Sequence, residues 1–506
     1  MRDLILLALR TCAARVLRTC ATLSLFPRLF ALARPLLFGL FALARPLLFG
    51  LFALARPLLS SLVCDVVIAF LFCDCPVSIL DFYSAFNYVI LYIRYSFSCS
   101  DIQQITNAPP GSQAMTLDVS KFHRRTPIAP AHKLWFIMQN RPGEFYMTHT
   151  APFGASASES NSEEPRDFAV EAWALLKVDP IVNWSDDLNI FRFPLSGDGS
   201  PNSPFVYRYD SKQILDLVAP LGIPWHPLEK KGRDFSFTTT YTGFNWDIPR
   251  LLVSLPEKKR IKFLRRALDF KSTASSSGVT VEECMKIQGT LIHILFVAPL
   301  GHSYIPALSR FIAIFNAQSR NEFTRWHLHR PVLPELDYWI DFLSSSTNPR
   351  ELRRRGTPQD IGISVDASTD WGVGLCWGRR WAGWRAINWS GAFRNIGWLE
   401  GVAVEFVVYV LVENGYHDCC ILVRSDNKGV IAAFRRGRSR NVEVNLSIRR
   451  AMALMWVHNL SFDLEYVRSA ENLADPISRG NLGPRNDNLR CRFNLPSELA
   501  DFFRYA

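Results

Sequence analysis

At residues 183–193 the chain reads NWSDDLNIFRF. Two adjacent aspartates, Asp186 and Asp187, stand between two runs that each have the apolar and aromatic content of a strand. Burying such a pair is costly unless a cation or hydrogen-bond donors satisfy both carboxylates. The flanks predict a hairpin over 181–193 centred on the pair. Taken alone, the pair has two readings: an exposed turn, or part of a site that holds a metal ion.

Upstream, 113–150 reads as strand, loop and strand, in AMTLDVSKF (114–122) carrying Asp118, then KLWFIMQ (133–139), then EFYMTHT (144–150), and a helix follows over 166–177. Downstream come a helix at 211–220 and a strand pair ending in YTGFNWDI (241–248). Two strand ends bearing carboxylates can meet at one site, and two divalent ions about 3.5–4 Å apart stabilise the attacking and leaving oxygens of a phosphoryl transfer. Mg²⁺ takes hard oxygen ligands and uses few carboxylates.

Residues 256–347 read as largely helical. In PEKKRIKFLRRALDF (256–270), Ile261, Leu264 and Leu268 share one face, with Lys258, Lys259, Lys262, Arg265 and Arg266 on the other. TASSSG (273–278) reads as the next loop, and Thr280 as the N-cap of the helix after it. RRRGTPQD (353–360) is a polar linker. Beyond it, IGISVDAST carries Asp366 at a strand end, a strand-like run spans 371–388, and a helix is expected at about 399–414. The strand CCILVRSDN leads to Asp426, then helices at 428–435 and 445–459, and the strand FDLEYVRS. This order predicts a parallel-containing mixed sheet with helices.

Of the 506 residues, 48% are hydrophobic, enough to build sizeable cores, and the net charge of +11 suits a polyanionic partner. Eleven cysteines include no CxxC pair, which speaks against zinc and against a disulfide framework and for reduced intracellular thiols, cytoplasmic or nuclear. FALARPLLFGL begins at Phe30, recurs at Phe41, and appears a third time from Phe52 with a changed ending. The 11-residue period suits a helix, but Pro35, Pro46 and Pro57 interrupt it. Arg34, Arg45 and Arg56 break any long apolar run, so residues 1–100 are assigned no fold.

In order, AMTLDVSKFHRRTPIAP, PFGASASESN, WSDDLNIFR, LGIPWHPLEKKGRDF and YTGFNWDI resemble five successive motifs of the reverse transcriptase palm, over about 130 residues. The resemblance is strongest to polymerase regions of tyrosine-recombinase (DIRS-like) retrotransposons of the kind found in fungi. It implies a nucleotidyltransferase in which a primer 3′-hydroxyl attacks a deoxynucleotide on an RNA template. Two Mg²⁺ ions, or Mn²⁺ in their place, would be held by Asp118, Asp186 and Asp187. Phe122 would lie near the incoming sugar, Phe153 and Gly154 would position template and nucleotide, and Lys230 or Lys231 would approach the triphosphate. Nothing in residues 1–100 resembles the fingers subdomain, and Glu163, Glu164 and Asp167 make the start of the following helix acidic.

A second acidic set, Asp366, Glu400, Asp426 and Asp475, has the four-carboxylate pattern of a two-metal nuclease. The stretch 361–480 resembles the ribonuclease H domain of retroelements, an endonuclease that hydrolyses the RNA strand of an RNA–DNA hybrid with two Mg²⁺. Glu405 competes with Glu400 on the same helix, and Glu400 is preferred as nearer its start. EYVRSAENLAD (465–475) lacks the histidine that many cellular relatives keep there, with Arg468 or Ser469 near that position. RRGRSRN (435–441) offers Arg435, Arg436, Arg438 and Arg440 as phosphate contacts. Trp381 and Trp398 read as core aromatics, and His293 and His302 as structural.

The expected fold is therefore α+β followed by α/β. A repeat-containing segment (1–100) precedes a palm with an antiparallel sheet and incomplete fingers (101–254), and a helical thumb or connection (255–352) follows. A ribonuclease H-like mixed domain (353–490) and a tail (491–506) complete the chain. Two other readings stand beside it: an inactive retroelement relic that binds nucleic acid, and a membrane-associated protein held by its N-terminal apolar segment.

Overall fold

Alternation along β1 (Gln113–Asp118) sends Met115 and Leu117 to one side and Ala114, Thr116 and Asp118 to the other. The computed structural model describes residues 102–506 apart from 153–157, 320, 346–348, 354–355, 390 and 392–393. The N-terminal repeats, Phe153 and Gly154 lie outside the described residues. β2 (Ile137–Arg141) and β3 (Glu144–Met147) form a separate exposed hairpin, and α1 (Ser158–Leu175) follows. Next come β4 (Ile181–Trp184), β5 (Asp187–Arg192), β6 (Pro194–Ser196), β7 (Val206–Tyr207), α2 (Ser211–Val218) and β8 (Arg233–Ser236).

The first sheet has the order β4-β5-β1-β8, all antiparallel. Met115, Leu117, Leu188 and Ile190 pack against Ala169 and Trp173 of α1 and Ile214 and Val218 of α2. Burying each large apolar side chain contributes about 1.5–3 kcal/mol, so this layer fixes the register of β1 and β5. The helices thus cover one face, and Asp118 belongs to the other. Helix α1 begins eight residues earlier than its expected start at 166. Its first turns are anchored by buried Ser162, whose Oγ lies 2.8 Å from Thr126 Oγ1.

A second antiparallel sheet is built from β9 (Thr238–Tyr241), β10 (Phe244–Asp247), β11 (Leu252–Ser254) and, after the helices, β12 (Arg350–Glu351). Between them run α3 (Glu257–Ser276), α4 (Val281–Ile294), α5 (Pro306–Gln318) and α6 (Leu333–Ser344). Strands and helices share one core that includes Trp246, Phe270, Phe311, Phe315 and Trp339. The boundary expected at 254/255 therefore falls inside a packed unit. Two local expectations about α3 fail. TASSSG is mostly helical, because α3 continues to Ser276. The buried stripe is Ala267, Phe270 and Ala274, while Ile261 and Leu268 face solvent. Thr280 caps α4 with a reciprocal bond to Glu283. Glu335 of α6 caps α5 from outside, its carboxylate accepting the N–H groups of Ala307 and Leu308. Burial nonetheless pushes its pKa up to about 7.

The C-terminal sheet contains β13 (Gln359–Ala367), β14 (Gly372–Trp377), β15 (Arg380–Ala386), β16 (Cys419–Ser425), β17 (Leu460–Tyr466) and β18 (Phe503–Tyr505) in the order β17-β16-β13-β14-β15-β18. β13, β16 and β17 run parallel, and the other pairs are antiparallel. Its helices are α7 (Ile396–Glu413), α8 (Lys428–Arg436), α9 (Val442–Val457) and the short α10 (Asp475–Ser478). α7 is buried along nearly its whole length, packed on β13 and β14 and against α9. Residues 491–506, expected as a tail, instead complete this unit: β18 pairs with β15, and Leu499 and Phe503 enter the core. Trp381 and Trp398 are buried, while His302 and His293, whose ring stacks on Phe244, are half-buried. The second and third regions touch where Asn445 and Arg449 donate to the Ser303 carbonyl, at 2.7 and 2.8 Å. Among the described residues, no helix is long and apolar enough to cross a membrane.

Candidate metal centre and acidic hairpin

Parallel neighbours open their C-terminal ends on the same sheet edge. Asp366 is the penultimate residue of β13 and Asp426 directly follows β16, so the strand geometry alone brings them together. α7 crosses the sheet and adds Glu400 from its first turns. One ligand oxygen from each of the three lies within 4.8 Å of the others. Asp366 and Glu400 are 3% and 5% exposed. Burial, reinforced by the charges of Asp366 and Asp426, pushes the Glu400 carboxyl up to about 9. Burial also pushes Asp366 up to about 6, against the Ser478 hydroxyl, which stabilises its anion. Oε2 of Glu400 is buried without a hydrogen-bond partner. Hard oxygen donors, mutual repulsion and one orphaned oxygen are the features a divalent cation would satisfy, so the residues fit Mg²⁺ or Mn²⁺.

Two supporting residues escape a reading of the sequence alone. Asn472 Nδ2 donates to the Val365 carbonyl at 2.9 Å and reaches Asp366 Oδ1 at 3.3 Å. The Ser478 hydroxyl donates to Asp366 Oδ2. Their approach depends on Gly374, directly across from Asp366 in β14. A Cβ there would lie 2.5 Å from Ser478 N and 2.7 Å from Ala474 O. The polar positions of ENLADPIS, next to an expected acidic ligand, are the available signal.

Asp475 is not gathered with the three. Arg479, one helical turn on, holds it at 2.8–3.0 Å and lowers its pKa. Glu405 is excluded from the cluster for a different reason. Its fully buried carboxylate accepts from Tyr409, Ser447 and Arg450 at 2.6–2.9 Å, tying α7 to α9. No ion pair to Asp366, Glu400 or Asp426 occurs among the described residues.

The basic loop after α8 is less open than expected. Arg435 donates to the Leu464 carbonyl, and burial lowers the pKa of Arg438. Arg436 and Arg440 keep exposed side chains. On α3, Lys258, Lys262, Arg265 and Arg266 line an open groove of about 380 Å³ with Ile261 and Asp269. Lys259 instead turns inward and donates to the Gly243 carbonyl.

In the first sheet, β4 and β5 are joined by the two-residue turn Ser185–Asp186, with Ser185 in the left-handed region at φ +49°. Asp187 opens β5 directly across from Asp118. Val119 N–H donates to the Asp186 carbonyl at 3.1 Å, seating the turn beside the end of β1. Asp118 is nearly buried, with His226 Nε2 at 3.3 Å and Lys231 Nζ at 3.4 Å. Burial raises its pKa, and Lys231 opposes that rise. Asp118, Asp186 and Asp187 do not form a cluster of the kind seen at Glu400. Lys231 reaches Asp118 with its side chain, while both Lys230 and Lys231 make backbone turn bonds to the Pro227 carbonyl. Phe122, Lys121, Arg124, Asp186 and Lys231 line a cavity of about 310 Å³. Glu163 and Asp167 are neutralised by buried Arg166, which also donates to the Ser185 carbonyl in the hairpin turn. No local pattern marks Arg166, because its role depends on a contact 19 residues away.

No protein-family model matches the chain, and no curated protein matches it. Among solved structures it is similar to the foamy viral protease-reverse transcriptase dRH in complex with ds DNA. That match has 14% identity and a TM-score of 0.33, covering 72% of this chain and 59% of that one. It is also similar to the foamy viral protease-reverse transcriptase in complex with dsDNA (16% identity, TM-score 0.33, covering 72% and 70%). The complex of that protein with RNA/DNA hybrid matches at 14% identity and a TM-score of 0.27, covering 75% and 69%. The chain thus spans less than two thirds of the first of these proteins.

Proposed function

We propose that the chain is a retroelement polypeptide of the DIRS-like, fungal type, with an RNA-directed DNA polymerase region and a ribonuclease H-like domain. The observation that carries this reading is the buried cluster of Asp366, Glu400 and Asp426, with its orphaned Glu400 oxygen. The ordered motifs around Asp118 and the Asp186–Asp187 hairpin support the polymerase half. In this reading the first sheet with α1 and α2 is the palm, the second sheet with α3–α6 the thumb or connection, and residues 353–506 the nuclease. The partners are RNA template, RNA–DNA hybrid and deoxynucleotides.

In the nuclease, Asp366, Glu400 and Asp426 would hold the divalent metal, which when bound supplies the Lewis acidity for phosphoryl transfer. Ser478 and Asn472 hold the Asp366 carboxylate in one orientation, which preserves the ligand geometry. Glu400 retains a proton at neutral pH in the free protein and must release it for its carboxylate to act as a ligand. Asp475 stays with Arg479 at the margin of the cluster. Arg436 and Arg440 offer exposed cations to a phosphate backbone.

The test is incubation of the purified protein with an RNA–DNA hybrid and, separately, a primed RNA template, each with Mg²⁺. Hybrid cleavage lost in Glu400→Gln and primer extension lost in Asp186→Asn are expected. A folded protein with no Mg²⁺-dependent product in either assay would defeat the reading. One observation favours a second version, a nuclease whose polymerase is silent: the palm acids do not gather, and Asp118 is already paired with His226 and Lys231. Cleavage without extension is its signature.

A further inference from the structure

Asp475 is kept out of the acidic cluster by its side chain and not by its backbone. Its N–H donates to the Asn472 carbonyl at 3.1 Å, and Ser478 Oγ lies 2.9 Å from its own carbonyl. Asn472 and Ser478 are also the two residues that hydrogen-bond the Asp366 carboxylate. The chain is thus fastened beside Asp366 on both sides of Asp475. Burial, and then the charges of Asp426 and Asp475, raise the Asp366 carboxyl, so Asp475 lies within electrostatic reach of the cluster. Only its carboxylate is drawn away, toward the Arg479 guanidinium.

Arg479 is just over half exposed and grips Asp475 through Nε and Nη2. The hydrogen bonds and charge of Asp475, and then the charges of Asp366 and Asp370, raise its pKa. One guanidinium therefore stands in the field of three carboxylates while bonding a single one. An exposed ion pair at this spacing adds little to stability, so the fold does not depend on it. The same weakness makes the pair exchangeable. A divalent ion carries twice the charge, and the buried, unpartnered Oε2 of Glu400 already draws one to this place.

We propose that Arg479 is a built-in counter-cation that occupies Asp475 in the metal-free protein and sets how tightly that end of the centre loads. This assignment rests on the nuclease half of the proposed function. Asp366, Glu400 and Asp426 have no ion pair among the described residues, so loading there meets no such competitor. An ion that recruits the Asp475 carboxylate must first displace Arg479, and binds more weakly for that reason.

The test is titration of the full chain with Mn²⁺, counting the free ion by electron paramagnetic resonance. The parent should bind one ion tightly and a second weakly. Arg479→Gln should tighten the weaker ion about three- to tenfold and leave the tighter one within about twofold. Arg479→Lys, which keeps the charge and loses the fork, should fall between Arg479→Gln and the parent. Asp475→Asn should lose the weaker ion, and adding Arg479→Gln to it should change nothing, a coupling that a general loss of positive charge would not produce. If Arg479→Gln binds both ions like the parent, or tightens binding equally in the Asp475→Asn background, the nuclease reading stands and this assignment falls. If the parent binds no Mn²⁺, or Glu400→Gln binds it as the parent does, the nuclease reading falls and takes the assignment with it.

Discussion

Asp366 and Asp426 end parallel neighbours, whereas Asp118 and Asp187 face each other across an antiparallel pair. The parallel edge, crossed by α7, gathers three carboxylates and provides no cation to pair with them among the described residues. In the hairpin, Asp186 sits in the turn and Asp187 on the strand, and Asp118 draws in Lys231 and His226. One site crowds its carboxylates so closely that Glu400 holds a proton, while the other has spread its acids and partly neutralised them. The difference teaches that acid count and order in a sequence do not determine electrostatic readiness. Strand direction and the local supply of cations do.

The largest expected effect tests whether the sites are independent. Asp426→Asn should lower hybrid cleavage by about 10²–10³-fold, the rate equivalent of several kcal/mol of lost charge stabilisation. Asp118→Asn should abolish primer extension and leave cleavage unchanged, read on the same preparation with both substrates. Equal loss of cleavage in both variants would break the comparison.

A second experiment reads the stored repulsion as stability. Because the Glu400 pKa is raised from 4.5 to about 9, the folded state holds a proton that the unfolded chain releases between those values. Stability of the metal-free protein should therefore fall as pH rises through this window. Glu400→Gln, lacking that loss, should be more stable at pH 8 in chelator, on the order of a few kcal/mol by urea denaturation. Mg²⁺ should close or reverse the gap. The equivalent substitution Asp118→Asn removes a carboxylate that already has the Lys231 ammonium beside it, and should give no comparable gain.

Smaller effects sharpen the account of support. Asn472→Ala should weaken Mg²⁺ binding about 10–100-fold by calorimetry, with the fold retained by circular dichroism. Thr280→Ala, far from either acidic set in sequence, should cost about 1 kcal/mol of stability through its lost cap and leave both activities intact.

Much of this arrangement is legible from residues. The hairpin at 181–193, the strand ends at Asp118, Asp366 and Asp426, and the helix bearing Glu400 all follow from local pattern and turn chemistry. The buried face of α3 is not, because its apolar residues form two overlapping stripes. Tertiary packing selects Ala267, Phe270 and Ala274 and leaves Ile261 beside the lysines. Nor can spacing separate Glu400 from Glu405, since both lie on α7. Their roles differ only through what faces them: two aspartates in one case, Arg450, Ser447 and Tyr409 in the other. The contribution of 491–506 is hidden because β18 pairs with a strand more than 110 residues earlier.

Gly374 has no side chain to offer a metal or a substrate, yet it faces Asp366 across the ladder with backbone atoms closer than any Cβ tolerates. In a saturation-mutagenesis library selected for activity, this position should return a single residue as stringently as the carboxylates themselves. A survey of tolerated variation would then mark Gly374 as catalytic, when what it protects is clearance.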